Sequence, residues 1–185
     1  MVKLLGMSGS LRRASYNASL LRAATRLMPP DATLEVASIR GIPLYDGDVE
    51  AQGLPPAVIQ LKEAVVAAAG VLLVTPEYNN SIPGVFKNTI DWLSRPSSDI
   101  KRVFAAKPFA IMGASPGGFG TNLSQAAWLP VLRTLGTQLW TGGRLQVSRA
   151  ATVFDEAGNL KDSGIERQLQ QFLAGYVAFV QRCAA

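Results

Sequence analysis

The 185-residue chain is 48% hydrophobic and 17% charged, which is typical of one compact domain over residues 1–185 and argues against a disordered protein. Its 18 Lys and Arg outnumber 13 Asp and Glu, but they form no aromatic-rich basic stripe, which favours attraction of small anions over nucleic-acid binding. No apolar run reaches the length of a membrane span and no signal-peptide pattern opens the chain, so a cytoplasmic location is expected.

Strand-like and helix-like segments alternate along the chain. The first strand is a short apolar run, and the helix after it ends at Pro29-Pro30. The unbroken apolar run of the third strand is typical of a central parallel strand, and Gly142-Gly143 is expected to interrupt the fifth. The predicted strands are Val2–Met7, Thr33–Ser38, Gly70–Thr75, Pro108–Ala114 and Gln138–Val147, and the predicted helices are Asn17–Met28, Pro55–Ala69, Val85–Ser94, Asn122–Leu135 and Glu166–Arg182.

This alternation predicts an α/β fold, a sandwich of three layers with a doubly wound parallel sheet and helices on both faces. In such folds, ligands bind at the carboxyl ends of the strands. That rule selects the loops that follow the first, third and fourth strands: a first loop at residues 8–17, a second at 76–84 and a third at 115–121. All three are chemically unusual, so the sequence predicts a ligand site at this edge of the sheet.

The first loop has the composition of an anion site. Two glycines allow a sharp turn after the first strand, and the hydroxyls of Ser8, Ser10 and Ser15 gather with Arg12 and Asn17 where a helix begins. A helix start carries free N–H groups and partial positive charge, so a phosphate is the expected ligand. The simpler interpretation is an N-cap, by Ser15 or Asn17, which explains one of these side chains. Neither the P-loop pattern nor the dinucleotide glycine pattern is present.

The second and third loops suit a flat ligand. Two prolines and a glycine rigidify the second loop, whose backbone amides are suited to a polar ring edge, and Tyr78 adds an aromatic face. The glycines of the third loop allow a close approach of the backbone to a ligand. Either loop taken alone is also compatible with an ordinary turn.

The chain has no histidine, which removes the commonest general base, every Ser-His-Asp arrangement and the commonest zinc ligand. Its one cysteine, Cys183, lies in a terminal helical pattern without a base to activate it. Difficult chemistry would therefore have to come from a cofactor, and no metal is expected.

Three motifs carry a resemblance: Gly-Ser-Leu-Arg-x-x-Ser-x-Asn at 9–17, Pro-Glu-Tyr-Asn-x-Ser-x-Pro-Gly at 76–84 and Lys-Asn-x-Ile-Asp-Trp-Leu-Ser-Arg at 87–95. They resemble the NAD(P)H-dependent FMN reductase family, above all its bacterial quinone and chromate reductases. The resemblance covers essentially the whole chain. It implies a flavodoxin-like fold, with a five-stranded parallel sheet of order 2-1-3-4-5 and FMN at the switch point. The third loop departs from the family's usual Ser-x-Gly-x-x-Gly-Gly form.

The resemblance also implies hydride transfer from NAD(P)H through flavin N5 to a quinone, chromate, free flavin or a similar acceptor. Both substrates would use one flavin face in turn, in a ping-pong mechanism without a catalytic side chain. The implied cofactor-binding residues are Ser10, Arg12, Ser15 and Asn17 for the phosphate, Pro76, Glu77, Tyr78 and Asn79 along the isoalloxazine, and Ser115, Gly117, Gly118 and Gly120 on its other side.

Two alternatives remain at this point, a flavodoxin-type electron carrier without NAD(P)H oxidation and an interaction protein that has lost its flavin.

A homodimer or homotetramer is expected from the resemblance, with 87–95 in the interface. The apolar Phe86, Ile90, Trp92 and Leu93 support it, because one buried stripe would not need them all. The basic pairs Arg12-Arg13 and Lys101-Arg102 are expected near the mouth of the cleft.

Overall fold

The computed structural model describes residues 1–184. Its strands are β1 (Val2–Ser8), β2 (Ala32–Ala37), β3 (Gly70–Val74), β4 (Pro108–Ala114), β5 (Gln138–Leu139) and β6 (Gln146–Val147). They are parallel and form one sheet of order β2-β1-β3-β4-β5. This order and the helices on both faces confirm the predicted flavodoxin-like fold. The fifth position is shared by two short strands that both pair with β4, and the predicted break at Gly142-Gly143 lies between them.

The five predicted helices are present, and three short ones accompany them. These additional helices have four or five residues, too few to show a hydrophobic period in the sequence. No helix within residues 1–184 has the length and apolar character needed to cross a membrane. The helices are α1 (Tyr16–Arg26), α2 (Gly47–Ala51), α3 (Pro56–Ala67), α4 (Gly84–Leu93), α5 (Ile100–Phe104), α6 (Asn122–Thr134), α7 (Ala150–Val153) and α8 (Ser163–Ala184).

Apolar side chains on the two faces of the sheet form two cores. Because successive strand residues point to opposite faces, Leu72 belongs to the core under α1 and α8, whereas Leu73 belongs to the core under α3, α4 and α6. Every residue of β3 is buried, as its apolar sequence predicted. The sheet is thus fixed from both sides, and the loops at its carboxyl edge extend from a rigid base.

The apolar residues of α4 are buried inside the chain itself. Phe86, Ile90, Trp92 and Leu93 are at most 1% exposed, and the indole N–H of Trp92 donates to the Pro43 carbonyl at 2.9 Å. The argument that these side chains exceed what one buried stripe needs is therefore wrong, because the connection after β2 covers α4 from a second side.

The basic pair Lys101-Arg102 lies at the amino edge of the sheet, in α5 just before β4 begins. Arg102 forms ion pairs with Glu63 at 2.9 Å and with Asp99 at 3.3 Å. The expectation that this pair lies near the mouth of the cleft is wrong, since the three loops lie at the opposite edge.

Candidate functional site

The three loops follow adjacent strands, because β1 pairs with β3 and β3 pairs with β4. Backbone contacts hold them side by side. The Gly9 N–H donates to the Val74 carbonyl at 2.9 Å, which joins the first loop to the end of β3. A Cβ on Gly9 would lie 2.3 Å from the ring of Phe86, so the first loop also packs directly on α4. The structure therefore brings the predicted site residues to one edge of the sheet.

The first loop ends in a helix start with free donors. Ser15 is the N-cap of α1, and its hydroxyl accepts from the Ala18 N–H at 3.3 Å, which settles the choice between Ser15 and Asn17. Between Arg13 and Asn17, the backbone N–H groups donate to no other group of the described chain. The first turn of α1 contains no acidic residue. This helix start offers several donors and partial positive charge to an anion.

The Asn17 side chain is buried and engaged on both of its polar ends. Its amide nitrogen donates to the Ala114 carbonyl at 2.8 Å, and its amide oxygen accepts from the Ala114 N–H at 2.9 Å. Asn17 thereby joins the first loop to the end of β4, where the third loop begins. One N–H of the amide is not used by these two bonds, and direct phosphate binding by Asn17 stays a prediction.

Two arginines accompany the first loop. Arg12 is exposed, and its backbone N–H donates to the Ser10 hydroxyl at 3.3 Å. The guanidinium of Arg40, which follows β2, donates to the Leu11 carbonyl at 2.6 Å. No sequence motif singled out Arg40, although β2 was expected beside β1 and its carboxyl end reaches the same edge. Arg40 thus adds a second positive charge to the first loop.

The second loop contains a tight turn. Tyr78 and Ser81 exchange backbone hydrogen bonds at 3.1 and 3.0 Å, and Asn79 and Asn80 between them both have positive φ, of 49° and 62°. Two positive φ values are typical of a type I′ turn, in which asparagine is favoured. Backbone geometry therefore explains Asn79 without a ligand. Tyr78 is 45% exposed at the base of this turn, in keeping with the stacking role predicted for it.

The carboxylate of Glu77 is directed at a helix and accepts from the N–H groups of Leu123 and Ser124, at 2.8 and 3.0 Å. Pro76, beside it, is buried, and its carbonyl accepts from the Thr75 hydroxyl at 2.9 Å. The two bonds of Glu77 join the second loop to the start of α6, and no local sequence pattern indicated them.

Glycines leave part of the third loop open. A Cβ on Gly117 or Gly118 would meet no atom within 4 Å, whereas one on Gly120 would lie 2.6 Å from the Gln146 carbonyl oxygen. Gly120 has φ of 61°, and Thr121, the residue that departs from the family's second glycine, has φ of 71°. The chain thus keeps a left-handed conformation that a β-branched residue rarely adopts.

Other contacts of the third loop come from β6 and from the segment that follows it. The Ser115 N–H donates to Val147 at 2.9 Å, and the Arg149 N–H donates to Gly117 at 2.9 Å. Phe119 is 79% exposed, an aromatic ring between glycines that sequence analysis did not single out.

The residues present fit an FMN phosphate at the first loop. The hydroxyl of Ser8 is buried at the end of β1 without a hydrogen-bond partner in the described residues, which is unusual for a polar atom. The free N–H groups of α1 and the guanidinium of Arg12 are donors suited to phosphate oxygens. A phosphate bound there would satisfy several donors at once.

A family model described as NADPH-dependent FMN reductase matches residues 2–152. An NAD(P)H-dependent FMN reductase of Pseudomonas aeruginosa is 44% identical over 181 residues, which cover 98% of this chain and 96% of the relative. A 2-hydroxy-1,4-benzoquinone reductase of a Burkholderia species is 36% identical over 180 residues, 97% of each chain. The solved structure of FerB, a flavoenzyme NAD(P)H:(acceptor) oxidoreductase from Paracoccus denitrificans, superposes with a TM-score of 0.88, at 31% identity and 98% coverage of both chains.

These similarities decide between the alternatives left open by the sequence. The relatives are named reductases, which confirms an enzyme and disfavours an electron carrier or an interaction protein without flavin. They also confirm FMN as the cofactor and NAD(P)H as the co-substrate. The chain belongs to the NADPH-dependent FMN reductase family.

Proposed function

We propose that this enzyme reduces quinones, and with them chromate, free flavin and similar acceptors, with FMN bound across the three loops. The observation that carries the proposal is the start of α1, where free backbone N–H groups lie beside Arg12 with no acidic residue in the first turn. Several relatives are named quinone reductases, which supports that class of acceptor. FMN, when bound, supplies the two-electron chemistry, so the protein needs no nucleophile.

We assign the site residues by what their surroundings allow. Ser10, Arg12 and Ser15 hold the phosphate by hydrogen bonds and charge, and Asn17 fixes the first loop against β4. Pro76, Tyr78 and Asn79 border the ring system, with Glu77 behind them. The contribution of the third loop is backbone, through Ser115, Gly117, Gly118 and Gly120, of which two have open space beside them.

The proposed mechanism is ping-pong. The three loops lie at one edge of the sheet, and no second nucleotide motif is present to seat NAD(P)H apart from the flavin. NAD(P)H and the acceptor would therefore occupy the same place in turn. Initial rates of NAD(P)H oxidation, measured at several quinone concentrations, should give parallel double-reciprocal lines. Intersecting lines would show a ternary complex and contradict the shared site, and no quinone-dependent oxidation would contradict the proposed acceptor class.

The remaining proposals concern organisation. We take residues 1–185 as one reductase domain that acts in the cytoplasm, on small molecules rather than nucleic acid or membranes. A homodimer or homotetramer is supported by the exposed side chains of Leu123 and Leu129 on α6, at 42% and 47%. Light scattering at micromolar concentration should give at least twice the monomer mass, and a monomer would contradict this proposal.

A further inference from the structure

We propose that Glu77 is a positioning residue, which holds the second loop in place for FMN by closing the start of α6, and that it does not touch the cofactor. The inference rests on the proposed function, because it concerns the same site. It replaces the role at the edge of the isoalloxazine that the family resemblance implies for Glu77.

The geometry of α6 is incomplete without Glu77. Thr121 is the residue before the helix, but its side chain caps no backbone group. The Glu77 carboxylate serves as the cap instead, although it lies 46 residues before Leu123 in the chain. It accepts from the N–H groups of Leu123 and Ser124. A negative charge at a helix N-terminus is stabilised by the helix dipole and by these charge-assisted bonds. Both bonds use the same oxygen, Oε2.

A buried hydroxyl network makes a second connection to α6 from Thr75, two residues before Glu77. The Thr75 hydroxyl donates its one hydrogen to the Pro76 carbonyl, so the 2.9 Å contact with Ser124 is donated by Ser124. The Trp128 indole N–H donates to the same Thr75 oxygen at 3.2 Å. Thr75, Ser124 and Trp128 are fully buried, so an unpaired polar group here would be costly. We call Thr75, Glu77, Ser124 and Trp128 the α6 clamp.

The α6 clamp reaches the first loop through packing. The ring of Trp128 meets the ring of Phe86 edge to face, with centroids 5.2 Å apart, and Phe86 lies directly against Gly9. The first turn of α6 also follows the third loop without a gap. The clamp therefore fixes the second loop relative to both neighbours, which is the arrangement a flat cofactor requires before it binds.

The matched control is Asp162, whose carboxylate accepts from the N–H groups of Gly164 and Ile165 at the start of α8. It performs the same capping chemistry as Glu77, outside the three loops. Comparing Glu77→Ala with Asp162→Ala therefore separates loss of a helix cap from loss of loop position.

The first measurement is FMN titration of the apoproteins, followed by quenching of flavin fluorescence. Glu77→Ala should weaken FMN binding about tenfold, and Trp128→Phe, which keeps an aromatic ring but loses the indole donor, about threefold. Glu77→Gln should lose less FMN affinity than Glu77→Ala, because its amide oxygen can still accept hydrogen bonds from the start of α6. Asp162→Ala should stay within twofold of the wild type while its thermal stability falls.

The second measurement is amide hydrogen exchange of the same apoproteins, which does not depend on FMN. Faster exchange at residues 76–84 in both Glu77→Ala and Trp128→Phe supports the proposal, and unchanged exchange there overturns it. FMN affinity within twofold of wild type for Glu77→Ala overturns it as well. Weak binding confined to the Glu77 variants, with Trp128→Phe unaffected, would mean direct contact with the cofactor and also overturn it. Failure of the wild-type apoprotein to bind FMN would refute the proposed function. Hydrogen exchange at residues 76–84 would still show whether the α6 clamp holds the second loop.

Discussion

Among the helices that begin at the carboxyl edge of the sheet, α1 and α6 differ in the partners of the backbone donors in their first turns. At the start of α1, Ser15 satisfies one N–H group and the preceding donors are free. At the start of α6, the Asn122 N–H donates to Phe119, and the next two N–H groups are taken by Glu77. The first helix start is therefore prepared for an anion from outside, whereas the second already holds an anion of the chain itself.

This difference shows that a helix start at the right edge does not by itself make a phosphate site. The carboxylate of Glu77 would repel a phosphate at α6, while Arg12 and Arg40 would attract one to α1. Charge thus supports the proposal that the cofactor phosphate binds at the first loop. The glycines and aromatic rings of the other two loops remain available for the flat part of the ligand.

Removing the positive charge of Arg12 beside α1 should have the largest effect on the difference between the two helix starts. Arg12→Ala deletes the guanidinium proposed to pair with the FMN phosphate, and a charge-assisted contact of this kind is worth about 1.5–3 kcal/mol, or a roughly 10- to 150-fold loss of affinity. FMN titration of the apoprotein measures it. Arg26→Ala, at the other end of the same helix, is the control and should bind FMN like the wild type. Unchanged affinity of Arg12→Ala would place the phosphate elsewhere.

Adding a methyl group at Gly9 tests the packing between the two helix starts. Gly9→Ala places a Cβ 2.3 Å from the ring of Phe86, which itself packs against Trp128 of α6. Overpacking of this kind should lower the free energy of unfolding by about 1–3 kcal/mol, measured by urea denaturation. Gly118→Ala is the matched control, because its Cβ would lie in open space and the apoprotein should keep its stability. Equal stability of both variants would refute close packing of the first loop on α4.

A single change should make α1 resemble α6. Ser15→Asp keeps a side chain that caps helices well, so the apoprotein should not lose stability. The added carboxylate would repel the phosphate, and FMN affinity should fall about tenfold. Thermal unfolding and FMN titration of the same sample measure the two effects. Unchanged FMN affinity would contradict phosphate binding at Ser15 and leave it only the role of a helix cap.

A variant remote from both helix starts should have the smallest effect. Cys183 is exposed near the end of α8, with no base near it in the sequence to activate the thiol. Cys183→Ser should therefore keep wild-type turnover with NAD(P)H and a quinone. Loss of turnover, or inactivation of the wild type by thiol alkylation, would contradict a mechanism that depends on the flavin alone.

The features that could be predicted from the sequence are those set by residues close together in the chain. The unbroken run of β3 and the glycine break between β5 and β6 are local patterns, and they predicted the sheet that the structure shows. The clustered hydroxyls of the first loop are a local pattern as well, and the ligand site that they predict stays a proposal. The short α5 was missed because five residues show no period. Likewise, its pair Lys101-Arg102 was placed at the wrong edge, since no sequence pattern shows where a connection runs.

The contacts that organise the site depend on distant residues, and no local pattern reveals them. Asn17 bonds to Ala114, 97 residues away, and Glu77 bonds to α6 across 46 residues. The sequence placed both side chains in loops at the carboxyl edge of the sheet, where the structure has them, but their partners became known only from the folded chain. The same holds for Trp92, whose burial depends on the connection that follows β2.

The central claim is that the free donors of the first loop hold a phosphate, and it is tested most directly by comparing FMN with riboflavin, which lacks that group. Titrated into wild-type apoprotein, FMN should bind at least about a hundredfold more tightly than riboflavin, since several charge-assisted bonds are lost together. Arg12→Ala should weaken FMN binding and leave riboflavin binding unchanged. Equal affinities of FMN and riboflavin for the wild type would contradict the assignment of the phosphate to the start of α1.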